Sequence, residues 1–336
     1  MSSPGIRSTT RSGTAGSAAR WGRFLAQRVL RVVVVSVVLI TATFVTVRLV
    51  PGDPAEKAIG MQTDRSAEDQ AATLAQAKRD LHLDRSLPVQ YLESLTAAAT
   101  FDFGRSFQTN QQVTSIIGDR LGSTVRLAAG GTIVMLVAGV PLGVLTGALT
   151  NGRRRWLDVT FSGFSGFVGS IPPYVLAVIG VFFFAYTWSI FPRIPEGSLL
   201  DDVLPSLSLG IGPAFLLARV VRVETLDVLQ QDYVRTARSK WLPWTHLYGR
   251  DVLPNVLTSA LTIGGVLFAS LLGGAVVVEG IFGRNGLGTT LINAVQLGDY
   301  PVVTAISLLF GFMVVAANTV VDVLLAALDP RTLVAS

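Results

Sequence analysis

The chain has 336 residues, half of them apolar, with 15% charged residues, a mean hydropathy of +0.54 and a formal net charge of +5. Soluble domains of similar apolar content carry about 25% charge, so charge this sparse, confined to short clusters between long uncharged runs, points to a membrane protein. The absence of cysteine excludes disulfides, thiolate metal sites and thiol nucleophiles.

Residues 1–28 form a basic tail. The first 20 are rich in Ser, Gly, Thr and Arg without apolar periodicity, which predicts disorder. Six arginines and no acid precede Val32. Val32 to Val47 is then uncharged, so transmembrane helix 1 is expected within 29–50, with Arg31 and Arg48 snorkelling at its ends. Val47-Arg48-Leu49-Val50-Pro51 lacks the small-residue cleavage pattern of a signal peptide, so retention of this segment is expected.

Pro51 to Gly122 is the largest soluble region, with seven basic and ten acidic residues, and reads as a small helical cap. Ser66-Ala67-Glu68-Asp69 is a helix start leading into an Ala-rich helix to about Leu81. Pro88 opens a second helix, Asp102-Phe103-Gly104 breaks the chain, and Val113 to Leu121 is amphipathic.

Leu127 to Gly152 gives transmembrane segment 2, closed by Arg153-Arg154-Arg155. Val159 to Pro192 is longer than one span needs, and Ile171-Pro172-Pro173 predicts a bend in this third segment. Val203 to Ala218 starts the fourth, expected to be interrupted at Gly210-Ile211-Gly212-Pro213 and to run into Arg219 and Arg222 at the far interface. Val252 to Val278 is the fifth, with recurrent small residues that allow close helix approach. Pro301 to Val321 is the sixth. The expected fold is thus an all-α membrane protein with six transmembrane helices and a helical extracytoplasmic cap at 51–122.

Basic residues collect in the tail, the Arg153 loop and the Arg219 to Asp251 island, whereas the other three loops carry net negative charge. Positive-inside then places both termini and the island in the cytoplasm, and the basic balance reflects orientation rather than nucleic-acid binding.

The chain carries no sign of an energy source. Its lysines, Lys57, Lys78 and Lys240, lie outside any phosphate-binding loop pattern. Gly283 to Gly288 looks superficially like a nucleotide loop, but Asn285-Gly286 is a turn signal and the segment falls on the outer side, so a tight outer loop is expected. The apolar runs lack internal ionisable residues, and Arg48, Arg126, Arg219, Glu279 and Asp322 near their ends read as interfacial. His82 and His246 lack a second ligand at metal spacing, and neither a carboxylate dyad nor a zinc motif marks an intramembrane hydrolase. An engine must therefore be supplied from outside, and Gln230 to Asn255, the main polar island of the second half, is where it would dock. A self-sufficient secondary transporter or channel, or an intramembrane enzyme, is the rival reading.

Within that island DYVRTARSKW, followed by DVLP, resembles the EAA loop of type I ABC importer permeases. RFLAQRVLR, RLVPGDPA, LHLDRSLPVQYL, FDFGRSF, VVVEGIFGRNGLG, DYPVV and LLAALDPR are similar to segments of the B-type permease subunit of dipeptide and oligopeptide importers, in the same order. The resemblance, from about Arg23 to Arg331, implies the type I permease fold, with 123–328 as its transmembrane domain and the coupling loop at 228–254. It implies a bacterial inner-membrane subunit working with a C-type permease, two ABC ATPase subunits and an extracytoplasmic solute-binding protein. ATP and magnesium would belong to the ATPases, with no cofactor in this chain. Peptides are the usual cargo, and some relatives carry nickel.

Carried over by position, Asp232, Tyr233, Arg235, Thr236, Ala237, Arg238 and Lys240 form the ATPase-contact helix, and Leu253 and Pro254 close the loop. Ser170, Ser270 and Asn318 are candidates for the translocation path, although each has the alternative of bonding backbone within the bundle. In the family a glycine usually follows the Ala-Lys of this motif, and here that position is Trp241. Either the turn departs from the left-handed conformation that glycine suits, or Trp241 accepts a strain of about 1–2 kcal/mol. Trp241 is expected to insert into the ATPase or to anchor at the membrane surface. Pro243 is expected to open a second short helix in which Trp244 and Tyr248 share a face.

Overall fold

The computed structural model describes residues 29–30, 32–46, 75, 78, 84–150, 154–192, 198, 200–241 and 243–328. The expectations for the tail, for the Ser66 to Leu81 helix, for Arg153 and for the Trp244 side chain lie outside the described residues. The described residues are helices joined by turns and short irregular links, with one isolated antiparallel bridge between Arg105 and Gln112.

Helix α1 (Val32–Thr46) is short, apolar and uncharged. Helix α2 (Leu87–Thr100) starts with proline in its first turn, where the missing N–H costs no helical bond. It ends on Phe101 in the left-handed conformation. The Tyr91 and Thr41 hydroxyls meet at 2.8 Å, and Phe44 packs edge-on against the Tyr91 ring, so α2 is pinned to α1.

Helix α3 (Val113–Thr150) joins the expected amphipathic stretch and the second transmembrane segment into one rod of 38 residues. The two parts differ in what they cover. Val113 and Ile116 pack with Leu287, Val302 and Ile306, whereas Leu127, Met135 and Val140 enter the main core of the bundle.

Helices α4 (Arg155–Ser170) and α5 (Pro173–Gly180), the latter prolonged by wider turns over Val181–Thr187, make the bent third segment. The axes turn by 86°. Pro172 disfavours helical geometry at the residue before it, and Ile171 is extended (φ −72, ψ 122). The bend read from Ile171-Pro172-Pro173 is therefore close to a right angle.

Helix α6 (Leu200–Leu229) contradicts the expected interruption, since it runs unbroken through Pro205 and Pro213. Its small residues serve contact rather than breakage. A Cβ on Gly210 would stand 2.5 Å from the Gly131 carbonyl, and one on Gly143 would stand 2.5 Å from Val221 Cγ1, so α3 and α6 lie backbone to backbone.

Helix α7 (Asp232–Ser239) and the short α8 (Trp244–His246) follow, and wide turns over Leu247–Val252 feed α9 (Leu253–Ile281). Helices α10 (Leu287–Leu297) and α11 (Tyr300–Leu328) complete the bundle. Among the described residues four helices are long and apolar enough to cross a membrane, five when the bent pair is counted as one span, and α1 is a further, shorter apolar helix.

At the end of the bundle away from the α6–α9 loop, Glu279 departs from the interfacial reading. It is fully buried. Thr124 Oγ1 donates to its Oε1 at 2.5 Å, and the amides of Gly288 and Thr289 donate to its Oε2 at 2.8 and 3.2 Å. A carboxylate at a helix N-terminus satisfies orphan N–H groups and opposes the helix dipole. The Gly283 to Gly288 turn is thus a tight loop whose first helical amides hold the protein's own anion. Arg284, also buried, pairs with Asp202 and reaches the carbonyls of Ser123 and Asp201 at 3.4 and 3.3 Å. Asp299 accepts from Ser106 and from the Phe107 amide.

Candidate functional site

The α6–α9 loop is built on a two-sided helix. In α7 the apolar residues recur at a helical spacing of three, Val234 and Ala237, and both face the bundle, Val234 with 0% of its surface exposed. They join the core cluster with Val228, Leu229, Leu247 and Val252. Asp232, Tyr233, Arg235, Thr236, Ser239 and Lys240 lie on the exposed side. Asp232 supplies negative charge to the first turn, with its Oδ1 3.8 Å from Arg235 Nη1. Within the expected contact helix, Ala237 thus lies on the side packed into the core. The Arg238 side chain lies outside the described residues.

Trp241 keeps the left-handed turn. Its φ is +53, a conformation that costs a residue with a Cβ about 1–2 kcal/mol. It is 91% exposed, so no packing among the described residues offsets that cost. The alternative, a differently shaped turn, does not occur. Pro243 then opens the next short helix, with the amides of His246 and Leu247 donating to its carbonyl at 3.0 and 3.1 Å.

Tyr233 ties the first helix of the loop to the start of α9. Asn255 Nδ2 donates to Tyr233 Oη at 3.2 Å and to the Asp251 carbonyl at 2.8 Å. Partial burial, and after it the nearby Asp251 carboxylate, push the Tyr233 phenol above its ordinary range. It stays protonated and polar at neutral pH. Leu253 packs against the main core, whereas Pro254 is exposed in the first turn of α9.

The three path candidates are not drawn into one cluster by any hydrogen bond among the described residues. Ser170, at the 86° bend, donates to the Gly166 carbonyl at 2.7 Å. Ser270 is exposed on α9. Asn318 packs against Gly265, where an added Cβ would meet Asn318 Oδ1 at 3.2 Å.

Sequence reasoning missed the ion pair at the loop end of the bundle. Arg222, expected at the interface, is buried on α6 and pairs with Asp158 at 2.5 Å, with its Cζ 5.8 Å from the Phe161 ring centre. The usable signal was the lone arginine in register with the apolar stripe of α6, Leu217, Ala218, Val221 and Thr225.

Residues 139–334 match the family described as "Binding-protein-dependent transport system inner membrane component", and residues 22–128 match its N-terminal counterpart. The chain belongs to this family. It is the permease subunit of an ABC importer. A Brucella suis biovar 1 protein provisionally named a peptide transport system permease is 34% identical over 313 residues, covering 91% of this chain and 97% of that protein. The glutathione transport system permease protein of Pectobacterium atrosepticum is 33% identical over 307 residues, covering 91% of this permease and 97% of its own length. Among solved structures, the inward-facing MetNI methionine ABC transporter matches with a TM-score of 0.55 at 18% identity, over 64% of this permease and 97% of that chain. That likeness establishes the type I importer permease fold.

Proposed function

We propose that this permease forms, with a C-type permease partner, the membrane path for di- or oligopeptides delivered by an extracytoplasmic solute-binding protein, in the bacterial inner membrane with both termini cytoplasmic. Two ABC ATPase subunits bind and hydrolyse magnesium ATP, and the Gln230 to Asn255 loop is where they dock. The observation that carries this reading is the two-sidedness of α7: Val234 and Ala237 are rooted in the bundle core while Asp232, Arg235, Thr236 and Lys240 point away from it. A helix fixed on one side and polar on the other transmits displacement of whatever grips its outer face. ATP binding favours one state of the bundle through contacts that differ between states. Trp241, strained and exposed, extends the same outer face. Peptide cargo is supported by the names of the relatives with near full-length matches. The cap at 51–122 faces the binding protein, and Ser170, Ser270 and Asn318 are path candidates.

Reconstitution of the full complex in liposomes tests this reading. Uptake of a labelled dipeptide is expected to require ATP and the binding protein together. Uptake by the isolated permease without ATP overturns it.

A further inference from the structure

The loop end of the bundle holds a buried ion pair that joins three elements. Arg222 sits on α6 about two turns before Leu229, where that helix gives way to the loop. Its side chain is 8% exposed, and its Nη2 stands 2.5 Å from Asp158 Oδ1 in the first turn of α4 and 3.4 Å from Thr150 Oγ1 at the last turn of α3. The guanidinium also lies 5.8 Å from the centre of the Phe161 ring, one turn further along α4. Asp158 is 48% exposed, so it sits at the edge of the site, and Ser162 Oγ reaches the same Oδ1 at 3.5 Å.

The helices on either side of the pair, α3 and α4, both pack closely on α6. On one side α3 and α6 are locked along their length: Gly139, Gly143 and Gly147 lie so close to Ala214, Val221 and Thr225 that a Cβ at any of them would stand 2.5 to 2.9 Å from those neighbours. Helix α6 leads directly into the loop. On the other side α4 leaves the pair, meets α6 again where Phe164 packs edge-on against the Phe215 ring at 5.4 Å and a Cβ on Gly169 would stand 2.8 Å from Leu216 Cδ2, and ends at the 86° bend into α5. A buried arginine is costly unless paired. This one is paired through a single nitrogen, and its Nε–H is without an acceptor among the described residues. Such a contact holds α4 to α6 at the loop end while leaving the guanidinium free to re-aim as the helices shift.

We propose that Arg222 is a positioning residue which, through Asp158, carries displacement of the loop into the bent span α4–α5. The inference rests on the loop being the ATPase-docking element. It assigns the route by which that displacement reaches the bend at Ile171-Pro172, namely along α6, across the Arg222–Asp158 pair, and along α4.

Because the chain has no cysteine, two introduced cysteines are its only labelling sites, and they are spin-labelled in a transporter assembled with partner subunits whose own cysteines have been replaced. Val295→Cys on α10, at the opposite end of the bundle, serves as the reference, combined either with Ser239→Cys on α7 or with Phe167→Cys on α4; Ser239, Phe167 and Val295 are all exposed. Distances are measured by electron resonance with and without ATP and vanadate. In the parent transporter both distances shift. In Arg222→Gln and in Asp158→Asn the Ser239 distance still shifts, but the Phe167 shift is mostly lost. Arg222→Lys, or the exchange Asp158→Arg with Arg222→Asp, recovers it. A full Phe167 shift in both single variants overturns the proposal, as does loss of that shift in both the lysine variant and the exchange. If the parent transporter shows no Ser239 shift, the docking reading falls and this inference falls with it.

Discussion

Thr124 donates its hydroxyl to Glu279 Oε1 across 2.5 Å and accepts the Leu287 amide at 2.8 Å. One side chain on α3 therefore ties together the end of α9 and the start of α10. A hydrogen bond to a buried charge is worth about 1.5–3 kcal/mol, and removing one partner exposes the other to its full desolvation cost. Thr124→Val is expected to lower stability by about 2–4 kcal/mol, since it leaves both a carboxylate oxygen and an amide short of a partner. Glu279→Ala is expected to cost more, because it deprives the Thr124 hydroxyl and two amides together. Thermal unfolding of the purified permease in detergent, compared with Thr124→Ser, checks the order.

Val234 is the root of the loop helix. Burial of a valine side chain is worth about 1.5–3 kcal/mol, and truncation also leaves a cavity. Val234→Ala is expected to loosen α7 by about 1–3 kcal/mol, raising protease sensitivity within Gln230 to Asn255 before the bundle unfolds. Val234→Asp is expected to abolish ATPase association while the transmembrane helices stay folded. Limited proteolysis and co-purification read the two effects separately.

Trp241 holds φ +53 with an exposed side chain. Trp241→Gly relieves about 1–2 kcal/mol of left-handed strain, partly offset by about 0.5–1 kcal/mol of extra chain entropy, so the thermal midpoint is expected to hold or rise slightly. Trp241→Pro, whose ring requires φ near −65, is expected to disrupt the loop. Trp241→Ala keeps the strain and removes the ring. It is expected to weaken complex assembly or ATPase stimulation, and parent-like behaviour in both assays counts against Trp241 as a docking residue.

The Tyr233 phenol holds its proton above the ordinary tyrosine range, first through burial and then through Asp251. A raised folded-state value means the contribution is fully present below about pH 10, the ordinary value, and is lost as pH rises through the folded value, because the unfolded chain ionises first. Loop stability is therefore expected to be flat from neutral pH to about 10 and to fall above it. Tyr233→Phe removes that alkaline fall and one component of the tyrosinate absorbance titration.

The bundle was legible in the sequence because its charges are segregated. The long uncharged runs became the helices α3 to α6, α9 and α11, and Ile171-Pro172-Pro173 announced the sharp bend. The Pro88 helix and the turn at Gly283 to Gly288 followed from turn and cap chemistry in the same way. Other features were hidden for definable reasons. A charged residue at the end of an apolar run looks the same whether it snorkels or finds a buried partner, so Glu279 and Arg222 were both read as interfacial. Their partners, Thr124 and Asp158, lie 155 and 64 positions away in the chain. Small residues were similarly ambiguous: Gly210 and Gly212 beside Pro213 suggested a break, but Gly210 sits against the Gly131 carbonyl in close helix contact. In the loop, position in the motif names the helix but does not say which side of it the core occupies, and Ala237 lies on the core side. At Trp241 the left-handed turn and the strain both persist, an outcome the sequence posed as one of two.

The central claim is that the outer side of α7 is gripped by an ATPase. A single-cysteine scan tests it directly, since the chain offers no competing thiol. Cysteines at Arg235, Thr236 and Lys240, all exposed, are cross-linked to the ATPase subunits in native membranes, with Val234→Cys as the inward control. Strong cross-links from the three outward positions, weakened when nucleotide changes the state of the complex, and none from Val234 are the predicted result. Equal labelling of Val234, or no cross-link from any outward position in a complex that still hydrolyses ATP, would contradict the account.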